Sequence, residues 1–96
     1  MKYRNENTDV LFEAILSLRS IDECYDFFTD ACTLKEIKDM SQRFEVARML
    51  KEKYSYMIIN EKTGVSTATI GRVNRSLMYG ADGYNTVIDR LKENKN

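Results

Sequence analysis

A run of hydroxyl and guanidinium side chains, spaced as along a helix, lies in the second half of the chain. Ser66, Thr67 and Thr69 supply hydroxyl groups, and Arg72 and Arg75 follow within the next two turns. Such groups form hydrogen bonds with base edges and phosphate oxygens, and small side chains allow close approach to them. The chemistry that this segment predicts is recognition of a nucleic acid by direct contact.

Catalytic chemistry is not indicated by the rest of the composition. Histidine is absent, so the commonest general base and metal ligand is missing. Cys24 and Cys32 stand eight apart in an apolar segment with no His to complete a zinc set, and we expect buried free thiols. There is no serine or cysteine nucleophile with a base and no glycine-rich phosphate loop. We therefore expect no enzyme, no metal and no cofactor.

The segment around Gly64 has the parts of a helix-turn-helix over about 56–77. Gly64 can adopt the positive φ that ends one helix, and Ser66 can cap the next helix at once. Val65 is expected to fill the angle between the helices, with Ile59 and Ile70 packed together. The usual pattern has a small side chain four positions before the glycine, so Asn60 at this position is a departure from it.

The second helix of this motif, about 66–77, is predicted to enter the major groove of double-stranded DNA with its N-terminal residues. Thr69 and Arg72 are predicted to contact bases, whereas Lys62 and Arg75 are predicted to contact phosphates. The predicted DNA-binding residues are Lys62, Ser66, Thr67, Ala68, Thr69, Gly71, Arg72 and Arg75.

Six helices and an all-α fold are predicted, since proline is absent and only 4 glycines occur. The helix boundaries are expected near 8–18, 20–32, 33–53, 55–64, 66–77 and 84–93. Thr8 or Asp9 is predicted to cap the first helix, and Ser20 and Thr33 each begin a capping box. The long helix is expected to bury a stripe of apolar side chains: Leu34, Ile37, Met40, Phe44, Ala47 and Leu50. The last helix is expected to bury Val87, Ile88 and Leu91.

The 96 residues are expected to form one domain that works as a homodimer. Apolar side chains between positions 10 and 32 lie on more than one helix face, which favours packing of some of them against a partner. Net charge is zero, yet residues 1–32 carry seven acidic and three basic groups, whereas residues 43–76 carry seven basic and three acidic groups. Phosphate needs only such a local positive surface.

No signal-peptide core and no apolar run of membrane-spanning length occur in the sequence. We therefore expect a cytoplasmic protein without membrane contacts.

From about 33 to 91 the chain resembles the Trp repressor family, in particular its shorter YerC/YecD-type members. The matching residues are Thr33, Arg43, Ser55, Gly64, Ala68, Thr69, Ile70, Arg72, Ser76 and Leu77. The turn before Ser55 is one residue shorter than in the tryptophan-binding repressor. The resemblance implies six helices in an intertwined homodimer, in which the dimerisation helices, about 8–53 and 84–93, interlock with those of the partner. It also implies a transcriptional regulator, which we expect to be a repressor. Because a dimer presents two reading helices, a palindromic operator is expected.

In the tryptophan-binding members a corepressor lies between the long helix and the DNA-reading helix. The positions that the resemblance assigns to such a pocket are Thr33, Arg43, Thr69, Arg72 and Ser76. Val73 stands where those members have glycine, and its branched side chain is predicted to intrude on the space of the ring. A small-molecule corepressor is compatible with the two arginines, but L-tryptophan is not expected to be that ligand.

Two other functions fit parts of the pattern. A protein-interaction or dimerisation module with a vestigial helix-turn-helix would use the same aromatic surface but not Thr69, Arg72 or Arg75. Such a module should lack salt-dependent binding to bulk DNA. An RNA-binding helix-turn-helix ranks lower, because exposed aromatic platforms for single strands are not evident.

Overall fold

A computed structural model describes residues 4–94 of the chain as an all-α structure. Its helices are α1 (Glu6–Leu16), α2 (Ile21–Ala31), α3 (Leu34–Lys51), α4 (Tyr56–Thr63), α5 (Thr67–Tyr79) and α6 (Gly83–Asn94). The predicted fold class and helix order are confirmed, with boundaries shifted by up to two residues. The chain divides into two compact units, residues 1–37 and 38–96, the second of which contains the motif helices. The single domain stays a prediction.

Side-chain caps begin the helices of the N-terminal unit. The predicted cap of α1 by Thr8 or Asp9 is wrong, because Asn5 accepts the Thr8 backbone N–H at 2.8 Å. Ser20 caps α2 by accepting the Glu23 N–H at 3.0 Å.

Thr33 and Glu36 form the predicted capping box at the start of α3. The Thr33 hydroxyl accepts the Glu36 N–H at 3.1 Å, and the Glu36 carboxylate accepts the Thr33 N–H at 2.9 Å. These two bonds with Thr33 lower the pKa of Glu36 from its ordinary value of 4.5, because they favour the ionised carboxylate.

Helices α1 and α2 contain no buried residue. Their apolar side chains lie in the open: Leu16 is 84% exposed and Ile21 76% exposed. Phe27 and Phe28 contact each other edge to face, with ring centroids 5.4 Å apart. The thiols of Cys24 and Cys32 are free as predicted, whereas their predicted burial is only partial. The unit thus leaves much apolar surface uncovered within one chain.

The C-terminal unit has a small apolar core to which all four of its helical segments contribute. The core residues are Val46, Ala47, Ile59, Val65, Ile70, Val73 and Ile88. The stripe predicted for α3 is wrong in part, since Met40 is 51% exposed and Val46, which was not predicted, is buried. On α6 only Ile88 is buried, whereas Val87 and Leu91 are exposed.

Within the part of the chain that the structure describes, no helix combines the length and apolar character needed to cross a membrane.

Candidate nucleic-acid interface

Hydrogen bonds among residues 59–65 hold the turn between α4 and α5. Gly64 has φ +75° and donates its N–H to the Asn60 carbonyl at 2.9 Å. The Thr63 hydroxyl donates to the Ile59 carbonyl at 2.7 Å and accepts the Val65 N–H at 3.1 Å. The positive φ predicted for Gly64 is confirmed, and the turn has its backbone groups paired locally.

Asn60 has a place in this turn that the sequence pattern did not indicate. Its side-chain amide donates to the Val65 carbonyl at 2.8 Å, across the turn and directly before the cap of α5. A small side chain at this position would leave that carbonyl to water. The departure from the usual pattern therefore adds a hydrogen bond rather than disturbing the motif.

The packing predicted for the two motif helices is confirmed. Ile59 of α4 and Ile70 of α5 are both fully buried in the same core, and Val65 is buried between their helices. Burial of such side chains stabilises the unit by roughly 1.5–3 kcal/mol each. The orientation of α5 relative to α4 thus rests on buried contacts as well as on the turn.

Ser66 begins α5 as predicted. Its hydroxyl accepts the Thr69 N–H at 3.2 Å and donates to the Thr69 hydroxyl at 3.1 Å. Thr67 and Ala68 are exposed, whereas Thr69 is half-buried. Several N–H groups at the start of α5 have no carbonyl partner in the helix, and the positive end of its dipole lies there. This end of α5 suits a polyanion.

The cations predicted for DNA contact are all exposed. Arg72 and Arg75 form no ion pair with any residue between 4 and 94. The Lys62 ammonium lies 5.2 Å above the ring centroid of Tyr54, which holds it beside α4 through a cation–π contact. Three positive charges on and before α5 are therefore available to phosphate.

A groove of about 300 Å³ lies between α3 and the start of α5, and we call it the α3–α5 groove. Its lining residues are Asp39, Gln42, Arg43, Val65, Ser66 and Thr69. Of the predicted pocket residues it brings together Arg43 and Thr69. Arg72 and Ser76 are exposed and do not line it, and Thr33 caps α3 in the N-terminal unit.

Sequence reasoning missed Asp39 and Gln42. Asp39 lies one helical turn before Arg43, and Gln42 is its direct neighbour on α3. Helical spacing from Arg43 was a signal that could have found Asp39, four residues earlier, and the same spacing from Asp39 could have found Gln42, three residues later.

The predicted intrusion of Val73 on the space of a ring stays a prediction, because the structure shows only that Val73 does not line this groove. Val73 is 3% exposed, belongs to the core with Ile70 and Val46, and does not line the α3–α5 groove. The core contacts that fix the orientation of α5 therefore also fix the direction of the Val73 side chain.

Metal binding has no structural support in residues 4–94, where no group of three or more candidate ligands from Cys, Asp or Glu comes together.

Comparisons with known proteins agree on one family. A family profile described as "Trp repressor protein" matches residues 6–92. The uncharacterised protein YerC of Bacillus subtilis is 53% identical over 92 residues, which span 96% of this chain and 88% of that protein. The crystal structure of a TrpR-like protein from Eubacterium eligens has a TM-score of 0.91 at 59% identity, covering 95% of this chain and 94% of that one. A structure described as a candidate Trp repressor from Staphylococcus aureus has a TM-score of 0.90 at 49% identity, covering 95% and 91%.

Proposed function

This chain belongs to the Trp repressor family, and on that premise we propose that it is a transcriptional regulator that binds double-stranded DNA sequence-specifically. Helix α5 is the reading element: its N-terminal residues enter the major groove while α4 lies across the DNA backbone. We propose repression as its mode of regulation, because the family profile that matches the chain describes a repressor protein.

The observation that carries the proposal is the exposed N-terminal face of α5, held in a fixed orientation. Thr67, Ala68 and Arg72 are exposed, while Ile70 and the turn at Gly64 hold the helix from behind. A face that is rigid before binding avoids the entropic cost of ordering it on DNA. Small and polar side chains beside the exposed guanidinium groups of Arg72 and Arg75 match both base edges and phosphates.

The functional unit that we propose is a homodimer. Within one chain, helices α1 and α2 bury no residue, and the apolar side chains of Phe12, Leu16 and Ile21 are largely exposed. Apolar surface of this extent favours association with a second chain. A two-fold dimer presents two copies of α5, so a palindromic operator with half-sites about 34 Å apart is expected.

The α3–α5 groove is the proposed place for a small effector, if the regulator responds to one. Five of its six lining side chains are polar or charged, and Val65 supplies the only apolar wall. Buried aromatic ligands are usually enclosed by apolar side chains. The polarity of the groove therefore disfavours L-tryptophan as the effector.

Selection of bound duplexes from random DNA by the full-length protein tests the proposed function. The expected result is enrichment of one palindromic sequence, with an affinity that falls steeply as salt rises. Failure to enrich any sequence, together with absent binding to bulk duplex at low salt, would contradict the proposal and favour the protein-interaction module.

A further inference from the structure

Gly71 lies inside the reading helix at a position where this chain has no need of a glycine. It is the fifth residue of α5, and glycine in a helix interior lowers stability relative to alanine. A Cβ atom built on Gly71 meets nothing within 4 Å, and the residue does not have a positive φ. In the described chain, therefore, neither packing nor backbone conformation requires that this residue lack a side chain.

The place of Gly71 on α5 indicates what the missing side chain leaves room for. Gly71 is partly exposed, one helical turn after Thr67 and one turn before Arg75, both of which are exposed. Ile70 and Val73 lie in the core on the other side of the helix. The open position is thus on the surface that the proposed function places against DNA.

The chemistry that Gly71 can offer is limited to its Cα hydrogens. Its backbone N–H and carbonyl lie within the helix and are used in the helical ladder. Beyond weak Cα–H donors, it offers no hydrogen-bonding group to a base edge, so close packing against an apolar group is the contact that suits it best. In the major groove that group is the C5 methyl of thymine.

We propose that Gly71 is a specificity-determining residue, whose Cα packs against the methyl group of a thymine in each half-site. The inference rests on the proposed function and adds the base class that this position of α5 reads. Any side chain at position 71 would occupy the space of that methyl group.

The test combines two glycine variants with two duplexes. Gly71→Ala adds a methyl group on the reading face, and Gly83→Ala adds the same group at the first residue of α6, where a Cβ also meets nothing within 4 Å. Full-length wild type first selects its preferred duplex from random DNA. A second duplex then carries deoxyuridine at the selected thymine nearest the contact, which removes only the methyl group.

For wild type, the change from thymine to deoxyuridine is expected to weaken binding about fourfold, the effect of losing one buried methyl group. For Gly71→Ala, binding to the thymine duplex is expected to fall at least roughly fivefold through overpacking, and to be largely restored on the deoxyuridine duplex. Gly83→Ala is expected to bind both duplexes as wild type does. Thermal unfolding should show Gly71→Ala to be at least as stable as wild type.

Equal losses of Gly71→Ala on both duplexes, or no loss on either, would overturn the inference. So would a selected sequence in which no replacement of a thymine by deoxyuridine restores the binding of Gly71→Ala. These results leave the proposed function standing, whereas failure of wild type to select any duplex overturns the proposed function and the inference together.

Discussion

Replacement of Val73 by glycine separates two accounts of this side chain. If Val73 filled a ligand space, its removal would open that space at little cost. The structure instead places it in the core beside Ile70 and Val46 at 3% exposure. We therefore expect Val73→Gly to destabilise the protein and not to create a binding site.

The magnitude follows from burial and helix propensity. Valine to glycine removes three buried carbons, the Cβ and its two methyl groups, which costs about 2.4 kcal/mol at about 0.8 kcal/mol each. Glycine in place of valine within a helix adds up to about 0.5 kcal/mol, and the cavity left behind adds about another 1 kcal/mol. The expected loss in the free energy of unfolding is about 4 kcal/mol, a large part of the total for a domain of this size.

Urea unfolding followed by circular dichroism, at one fixed protein concentration, measures this loss. Ser76→Gly is the matched control, since Ser76 is exposed on the same helix and its replacement tests the backbone cost of glycine alone. Calorimetric titration with L-tryptophan completes the assay, with no binding expected in either variant. If Val73→Gly proved as stable as Ser76→Gly, or bound tryptophan at micromolar concentration, the placement of Val73 in the core would be refuted.

Three further outcomes follow from the structure. Lys53 follows α3 with φ +71°, a conformation that costs non-glycine residues about 1 kcal/mol, so Lys53→Gly should raise the urea midpoint of unfolding. The folded-state pKa of Glu36 is lowered by its bonds with Thr33, so its contribution to stability is present above the unfolded value of 4.5 and is lost as pH falls through the folded value. Melting curves of wild type and Glu36→Gln should accordingly differ at neutral pH and converge in acid, and a constant difference would contradict the linkage. The unfolding temperature should rise with protein concentration if the exposed apolar side chains of α1 and α2 cover one another in a dimer, and sedimentation of a stable monomer at micromolar concentration would contradict that.

Local signals made the motif predictable from the sequence. Ser55 accepts the Ile58 N–H at 3.2 Å, Gly64 adopts a positive φ, and Ser66 caps α5, all at the predicted positions. Each of these features depends on residues within four positions of one another, so tertiary packing has little influence on them.

The start of α1 shows where local signals become ambiguous. Asn5, Thr8 and Asp9 are all residues that favour an N-cap, and they lie within five positions. Spacing alone did not select Asn5, because the apolar pattern that follows permits more than one starting point.

Burial was less predictable because periodicity locates a stripe but not the part of it that is covered. On α3 the stripe containing Met40 and Phe44 is adjacent to the face of Val46, and the packing of α5 and α6 decides which is buried. Val73 illustrates the same point: the resemblance to the tryptophan-binding members suggested the space of a ring, whereas the structure shows that the side chain packs in the core.

The proposed reading of DNA by α5 is tested most directly by fluorescence anisotropy of the full-length protein with its selected duplex and a scrambled duplex, at several salt concentrations. The account predicts binding to the selected duplex at least roughly 10³-fold tighter near physiological salt. Arg72→Ala should weaken that specific binding by about 1–3 kcal/mol, whereas Arg75→Ala should weaken binding to both duplexes alike and lower the salt slope by about 1. Equal affinity of wild type for the two duplexes, or an Arg72→Ala variant that binds the selected duplex as wild type does, would contradict it.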